Sequence, residues 1–174
     1  MMLLNYSIEM ENLAVKFFAD YRPPSNREPF EGTSELLMDG LPEKPQFVQE
    51  LCNANSNGYD YERNDCSGFC RPYNLMVWAV STQVGCASKE CPNGRDTLKS
   101  RYALVCIYKP GDNLLDKRPY ESGTSCSQCP DGYGCLRNQC YGGTPTTTAT
   151  SIAMTTTSSG TIFIFATLLL HCLK

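Results

Sequence analysis

Histidine is almost missing from these 174 residues: His171 is the only one, and it lies in an apolar tail. Ser-His-Asp and Cys-His catalysis both need an imidazole to take a proton near neutral pH. Zinc hydrolases built on histidine need the same ring as a ligand. Everything ahead of the tail is therefore excluded from those chemistries. A long apolar run is missing too. The longest candidate, residues 162–170, falls well short of the roughly 20 residues that a spanning helix needs. A secretory leader needs a basic start and then roughly 7 to 15 apolar residues, but "MMLLNYSIEMENLAVKFFAD" offers only residues 1–4 before polar and acidic ones intervene. The expectation is that the protein begins upstream of Met1, or that this is an unusual isoform. Nor is positive charge concentrated. The net charge is −3 and the basic residues are scattered, so no surface for nucleic acid is expected.

Cysteine, by contrast, is abundant. There are eleven, ten of them between Cys52 and Cys140, with Cys172 alone in the tail. That density in a small domain points to disulfides formed in an oxidising compartment. The sequon Asn5-Tyr6-Ser7 makes Asn5 a candidate N-glycosylation site on the same route.

Local patterns suggest a mixture of helix and strand. Met10, Leu13, Ala14, Phe17, Phe18 and Tyr21 recur at the spacing of one helical face, predicting an amphipathic helix over residues 7–21. Ser7 can cap its start, Glu9 and Glu11 suit the positive end of its dipole, and Pro23-Pro24 ends it. Turn formers dominate residues 26–45, with a short helix expected at 34–38 and another at 46–52. "NANSNGYDYERND" reads as a polar loop. Residues 75–81 form a continuous apolar run, the pattern of a strand buried on both faces, and YALVCIY at 102–108 predicts a second strand, bounded by "NGRD" and "PGDN".

Between residues 117 and 142 there is little core material but four cysteines, so cross-links must hold that piece together. Residues 143–160 form a Thr/Ser-rich stalk suited to O-linked sugars, and 161–174 end in the apolar tail. Small residues, a polar spacer and a short apolar end form the pattern of a lipid-anchor (GPI) signal, with attachment expected between Gly142 and Ser151. A short, marginal membrane span or a frayed apolar tail is the alternative.

Three blocks resemble the CAP (or SCP) superfamily of cysteine-rich secretory proteins, insect venom antigens and plant pathogenesis-related proteins. The first runs Tyr73-Asn74-Leu75-Met76-Val77-Trp78-Ala79-Val80-Ser81, followed by Val84-Gly85-Cys86-Ala87, and is similar to a signature strand. The second is Val105-Cys106-Ile107-Tyr108-Lys109-Pro110-Gly111-Asp112-Asn113, departing from the usual Asn at Ile107 and the usual Gly at Asp112. The third, Pro119-Tyr120-x-x-Gly123-x-x-Cys126-x-x-Cys129-Pro130, resembles the hinge of animal members. The stalk and tail resemble the membrane-tethered animal branch. The resemblance implies an α+β fold, a three-layer α-β-α sandwich with an antiparallel sheet. Residues 1–116 would form the domain, with its first helix missing, and 117–142 a small disulfide-rich hinge. A chain starting at Met1 would then lack buried area and be less stable than a full domain.

The same resemblance implies a cleft in which some members hold a divalent metal with two His and two Glu. Here Glu35 and Glu50 match the two Glu, one His falls in the missing helix, and Pro72 stands in the place of the other, just before Tyr73. Proline offers no lone pair to a metal. Two carboxylates suit a hard cation such as Ca²⁺ or Mg²⁺ only poorly, since six or more oxygens are normal. The bland alternative is two solvated helix-surface glutamates. No metal or other cofactor is therefore expected. The resemblance also implies the pairs Cys126–Cys135, Cys129–Cys140 and Cys86–Cys106. Cys66 and Cys70 suit a small closed loop, while spacing leaves the partners of Cys52 and Cys91 open. A zinc or thioredoxin-type reading of the CxxC needs a reducing compartment or a βαβ context.

No catalytic residues are expected. Hydrolysis by the Glu35 and Glu50 pair is the one enzymatic option left, and it would need a shaped cleft around them. The expected protein is a non-catalytic extracellular module at the cell surface, engaging an unknown protein or lipid partner and joined to the membrane by its tail. A sterol- or lipid-binding module and a carboxylate-dependent metal protein or hydrolase are the alternatives.

Overall fold

The computed structural model describes residues 1–20, 28–54, 56–92, 100–111 and 117–142. The stalk, the apolar tail with His171, Pro23-Pro24 and the turns "NGRD" and "PGDN" fall wholly or mainly outside the described residues.

The chain enters through β1 (Asn5–Tyr6) and passes directly into α1 (Ile8–Asp20). The Ser7 hydroxyl accepts the Met10 amide at 3.4 Å, satisfying one of the free donors of the first helical turn. Met10, Ala14, Phe17 and Phe18 are the buried stripe of this helix. Then come β2 (Ser34–Leu41), α2 (Phe47–Cys52), β3 (Tyr59–Asp60), β4 (Asp65–Cys66), α3 (Arg71–Met76), β5 (Gln83–Cys91) and β6 (Arg101–Lys109). A hairpin of β7 (Gly134–Leu136) and β8 (Gln139–Tyr141) follows.

Four strands form the main sheet in the order β1-β5-β6-β2. β5 with β6 and β6 with β2 are antiparallel, but β1 runs parallel to β5, with Asn5 opposite Gln83 and Tyr6 opposite Val84. The sheet is therefore mixed rather than antiparallel. α1 carries the chain from β1 at one edge of the sheet to β2 at the other, a crossover that leaves these two strands running in the same direction.

Both faces of the sheet are covered. Ala103, Val105 and Ile107 of β6 pack with α1 on one side. Leu104, Cys106 and Tyr108 point the other way, into a second core with Leu51 of α2 and Leu75 and Met76 of α3. This alternation is why residues 102–108 read as an unbroken apolar run. Gly85 lets α1 approach: a Cβ there would come within 2.1 Å of the Glu11 amide nitrogen.

Two local expectations fail. The apolar run at 75–81 is not a strand. Its first part closes α3, where the amides of Asn74 and Val77 bond to the carbonyls of Cys70 and Tyr73 at 2.8 and 3.0 Å, and the strand begins only at Gln83. Pro72 presets the first helical turn, and a short apolar run does not distinguish a buried strand from a buried helix. Conversely, residues 34–38 are not helical. They form the start of β2, registered against β6 with Ser34 opposite Tyr108 and Met38 opposite Leu104. Ladder bonds to a buried strand outweigh the modest helix preference of Leu and Met. The polar loop at 53–65 also holds the two-strand β3–β4 ribbon, with Tyr59 opposite Cys66.

Candidate functional site

The cleft candidates sit on three separate elements. Glu35 lies on β2, opposite Ile107 of β6; Glu50 is half-buried on α2; Pro72 and Tyr73 occupy the first turn of α3. A residue that the sequence reading passed over ties the first of them, Glu35, to the start of α3. Arg71, the first residue of α3, donates from Nε and Nη2 to the Glu35 carbonyl at 3.2 and 2.8 Å. Its Nη2 also stands 3.7 Å from Glu35 Oε1. The planar fork of a guanidinium suits this double grip on one oxygen. The start of α3 is fixed from behind by the Cys66–Cys70 bridge.

Tyr73 faces a different partner. Its phenol meets that of Tyr120 at 3.2 Å, and its ring lies 5.8 Å from that of Tyr59. The Tyr120 ring stacks on Tyr61 at 5.2 Å, and the Arg118 guanidinium lies over the Tyr61 ring, 5.2 Å from its centroid. Arg118 also donates to the carbonyls of Tyr61 and Glu62 at 3.0 and 2.8 Å, and the Ser122 amide donates to the Tyr61 hydroxyl at 2.8 Å. Burial, then the hydrogen bond to Tyr120, pushes the Tyr73 phenol well above its ordinary range, and burial raises Tyr59 as well. These groups stay protonated at neutral pH and do not serve as bases. The four tyrosines join α3 and the β3 segment to residues 118–122. No periodic pattern marks Tyr59 and Tyr61; their only sequence signal is an aromatic pair inside an otherwise polar loop.

The Cys-rich segment is also held by backbone. The Leu3 amide bonds to the Cys140 carbonyl at 2.9 Å and the Cys140 amide to the Met1 carbonyl at 2.8 Å. The Ala79 amide bonds to the Pro119 carbonyl at 2.7 Å. Bridges join Cys126 to Cys135 and Cys129 to Cys140, and Cys86 to Cys106 across the directly opposed pair of β5 and β6, with Cα atoms 4.1 Å apart. Asn5 is exposed on β1, its amide donating to the Leu3 carbonyl at 3.3 Å.

A divalent metal does not fit these residues. Pro72 contributes no ligand, the Glu35 carboxylate already has a guanidinium beside it, and no group of three or more His, Cys, Asp or Glu converges among the described residues.

A mixed sheet between helices, the Arg71 contact that ties α3 to β2, and a disulfide-bonded C-terminal segment define an α+β protein of the CAP type. Residues 3–108 match the cysteine-rich secretory protein family, CAP, and the chain belongs to that family. It is 39% identical over 85 residues to human (Homo sapiens) peptidase inhibitor 16, covering 47% of this chain and 18% of that protein. Against mouse (Mus musculus) GLIPR1-like protein 1 it is 39% identical over 94 residues, covering 54% and 39%. The chain therefore spans well under half the length of these relatives. Among solved structures, the venom allergen-like protein 4 of Schistosoma mansoni superposes with a TM-score of 0.54 at 26% identity, over 71% of this chain and 76% of that one. Family membership and the disulfides fit folding in an oxidising, secretory environment.

Proposed function

We propose that this protein is a non-catalytic extracellular interaction module of the CAP family, tethered at the cell surface by its C-terminal tail as a GPI-anchored glycoprotein. One observation carries the non-catalytic reading: at the cleft edge the Glu35 carboxylate is engaged by Arg71, and the adjacent position is Pro72. Pro72 can neither give nor take a proton, and no imidazole stands beside Glu35 among the described residues, so the acid–base pair that such hydrolysis commonly uses is not assembled there. Its binding partner is a protein or a lipid at the cell surface.

The tether is tested on cells displaying the full chain. Phosphatidylinositol-specific phospholipase C is expected to release it into the medium, and retention in the membrane fraction would show a span instead. A mobility shift with peptide N-glycosidase that Asn5→Gln abolishes is expected for the sequon.

Lipid binding is the second reading, favoured by an apolar groove between α1 and the edge of the sheet, lined by Phe17, Phe18, Leu37, Asp39 and Ala103. Its volume of about 100 Å³ is below the roughly 300–1,000 Å³ of sites that enclose a small molecule, which ranks this reading second. Saturable binding of cholesterol or a fatty acid by the purified protein would reverse that order.

A further inference from the structure

We propose that the Arg71 guanidinium is the built-in cation of this cleft: it takes the place beside Glu35 that a divalent ion would need, and it organises the site without metal. The inference concerns the cleft alone, so it stands or falls apart from the tether and from the identity of the partner.

Three features converge on it. Arg71 is delivered to one place, because it opens α3 directly after the Cys66–Cys70 bridge and cannot drift far from the turn that the bridge closes. Its fork is then locked by two donors on the Glu35 main-chain oxygen, at 3.2 and 2.8 Å. That contact does not depend on the ionisation of Glu35, so the cation stays in position whatever the carboxylate does. Finally, the locked guanidinium lies 3.7 Å from Glu35 Oε1. A metal ion bound by that carboxylate would sit close to a fixed positive charge, and like charges a few ångströms apart repel strongly when partly screened from water. The two side chains are 36% and 37% exposed, so the pair is partly solvated and its ionic part is modest. The exclusion of metal rests mainly on placement: a locked guanidinium stands beside Glu35 Oε1, and Pro72 offers no further ligand.

Lysine would not substitute. It carries the charge on a single nitrogen and cannot place two fixed donors on one carbonyl.

The test uses the full chain, with Zn²⁺ as the probe. Wild type is expected to show the same melting temperature in EDTA and in millimolar Zn²⁺, and no saturable heat of Zn²⁺ binding. The variant Arg71→Gly/Pro72→His removes the guanidinium and supplies an imidazole next to it. It is expected to gain saturable Zn²⁺ binding and a Zn²⁺-dependent rise in melting temperature, and adding Glu35→Gln should remove both. Saturable Zn²⁺ binding by wild type that Glu35→Gln abolishes would overturn the proposal, as would a folded double variant that binds no Zn²⁺. If the double variant does not fold, Pro72→His with Arg71 retained decides: the absence of saturable Zn²⁺ binding supports the built-in cation, and binding that Glu35→Gln abolishes overturns it.

Discussion

Tyr108 carries the family's second signature block, yet its hydroxyl is fully buried without a hydrogen-bond partner among the described residues. A buried polar group left unpaired destabilises by about 1–3 kcal/mol. Tyr108→Phe, which keeps the ring and removes only the hydroxyl, is therefore expected to raise stability by about 1 kcal/mol in urea unfolding. The same burial raises the Tyr108 phenol above its ordinary range, as burial does for Tyr6 and Tyr73. In the folded chain these groups hold their protons beyond the pH at which the unfolded chain releases them. The folded state then binds more protons above about pH 10, and stability should fall there while staying level in this respect below it. Tyr108→Phe should flatten that alkaline loss, measured as melting temperature against pH. Gly85 makes the opposite case. A methyl group at this position meets the backbone of Ser7, Met10 and Glu11 rather than a flexible side chain. Gly85→Ala is expected to cost at least about 1–3 kcal/mol, the usual range for overpacking, because a whole helix must shift.

Among the elements, β2 behaves differently on its two faces. Leu36 is buried among α2, α3 and the sheet, whereas Leu37, its neighbour, is 42% exposed because α1 lies over β5 and β6 and leaves the far edge open. Leu36→Ala should cost about 2–5 kcal/mol, and Leu37→Thr less than about 0.5 kcal/mol. Chemical denaturation of the two variants separates them. The Cys-rich segment is attached to the domain by the tyrosine group and by the backbone bonds of Met1 and Leu3 to Cys140 and of Ala79 to Pro119. Tyr120→Ala removes the stack on Tyr61 and the bond to Tyr73 without touching the backbone contacts. Amide hydrogen exchange should then speed up at Ser122, whose acceptor is Tyr61, while Cys140 stays protected. Equal acceleration at both would mean that the backbone bonds do not hold the segment once the tyrosine group is lost.

At the scale of the whole molecule, much of the architecture was readable from the chain. The 3.6-residue spacing of Met10, Ala14, Phe17 and Phe18 gives α1, and the apolar run at 102–108 gives β6, because each records burial in its own periodicity. Residues 75–81 and 34–38 were misread for one reason. Each is short and apolar, so its conformation depends on what it packs against: α3 closes over the second core, and β2 pairs with the edge of β6. The direction of β1 was invisible for a related reason, since two residues carry no signal of parallel pairing.

The candidate site divides in the same way. Its chemical character was set by residue identity alone: Pro72 in place of a ligand, no imidazole ahead of residue 171, and the cysteines that close the loop before α3 and cross-link the C-terminal segment. Which groups meet was a tertiary matter. Arg71 reaches Glu35 from 36 positions away, and Tyr73 reaches Tyr120 from 47. Periodicity reports only how a residue stands to its own helix or strand, so contacts made across elements come from the way the sheet, α3 and the Cys-rich segment pack together.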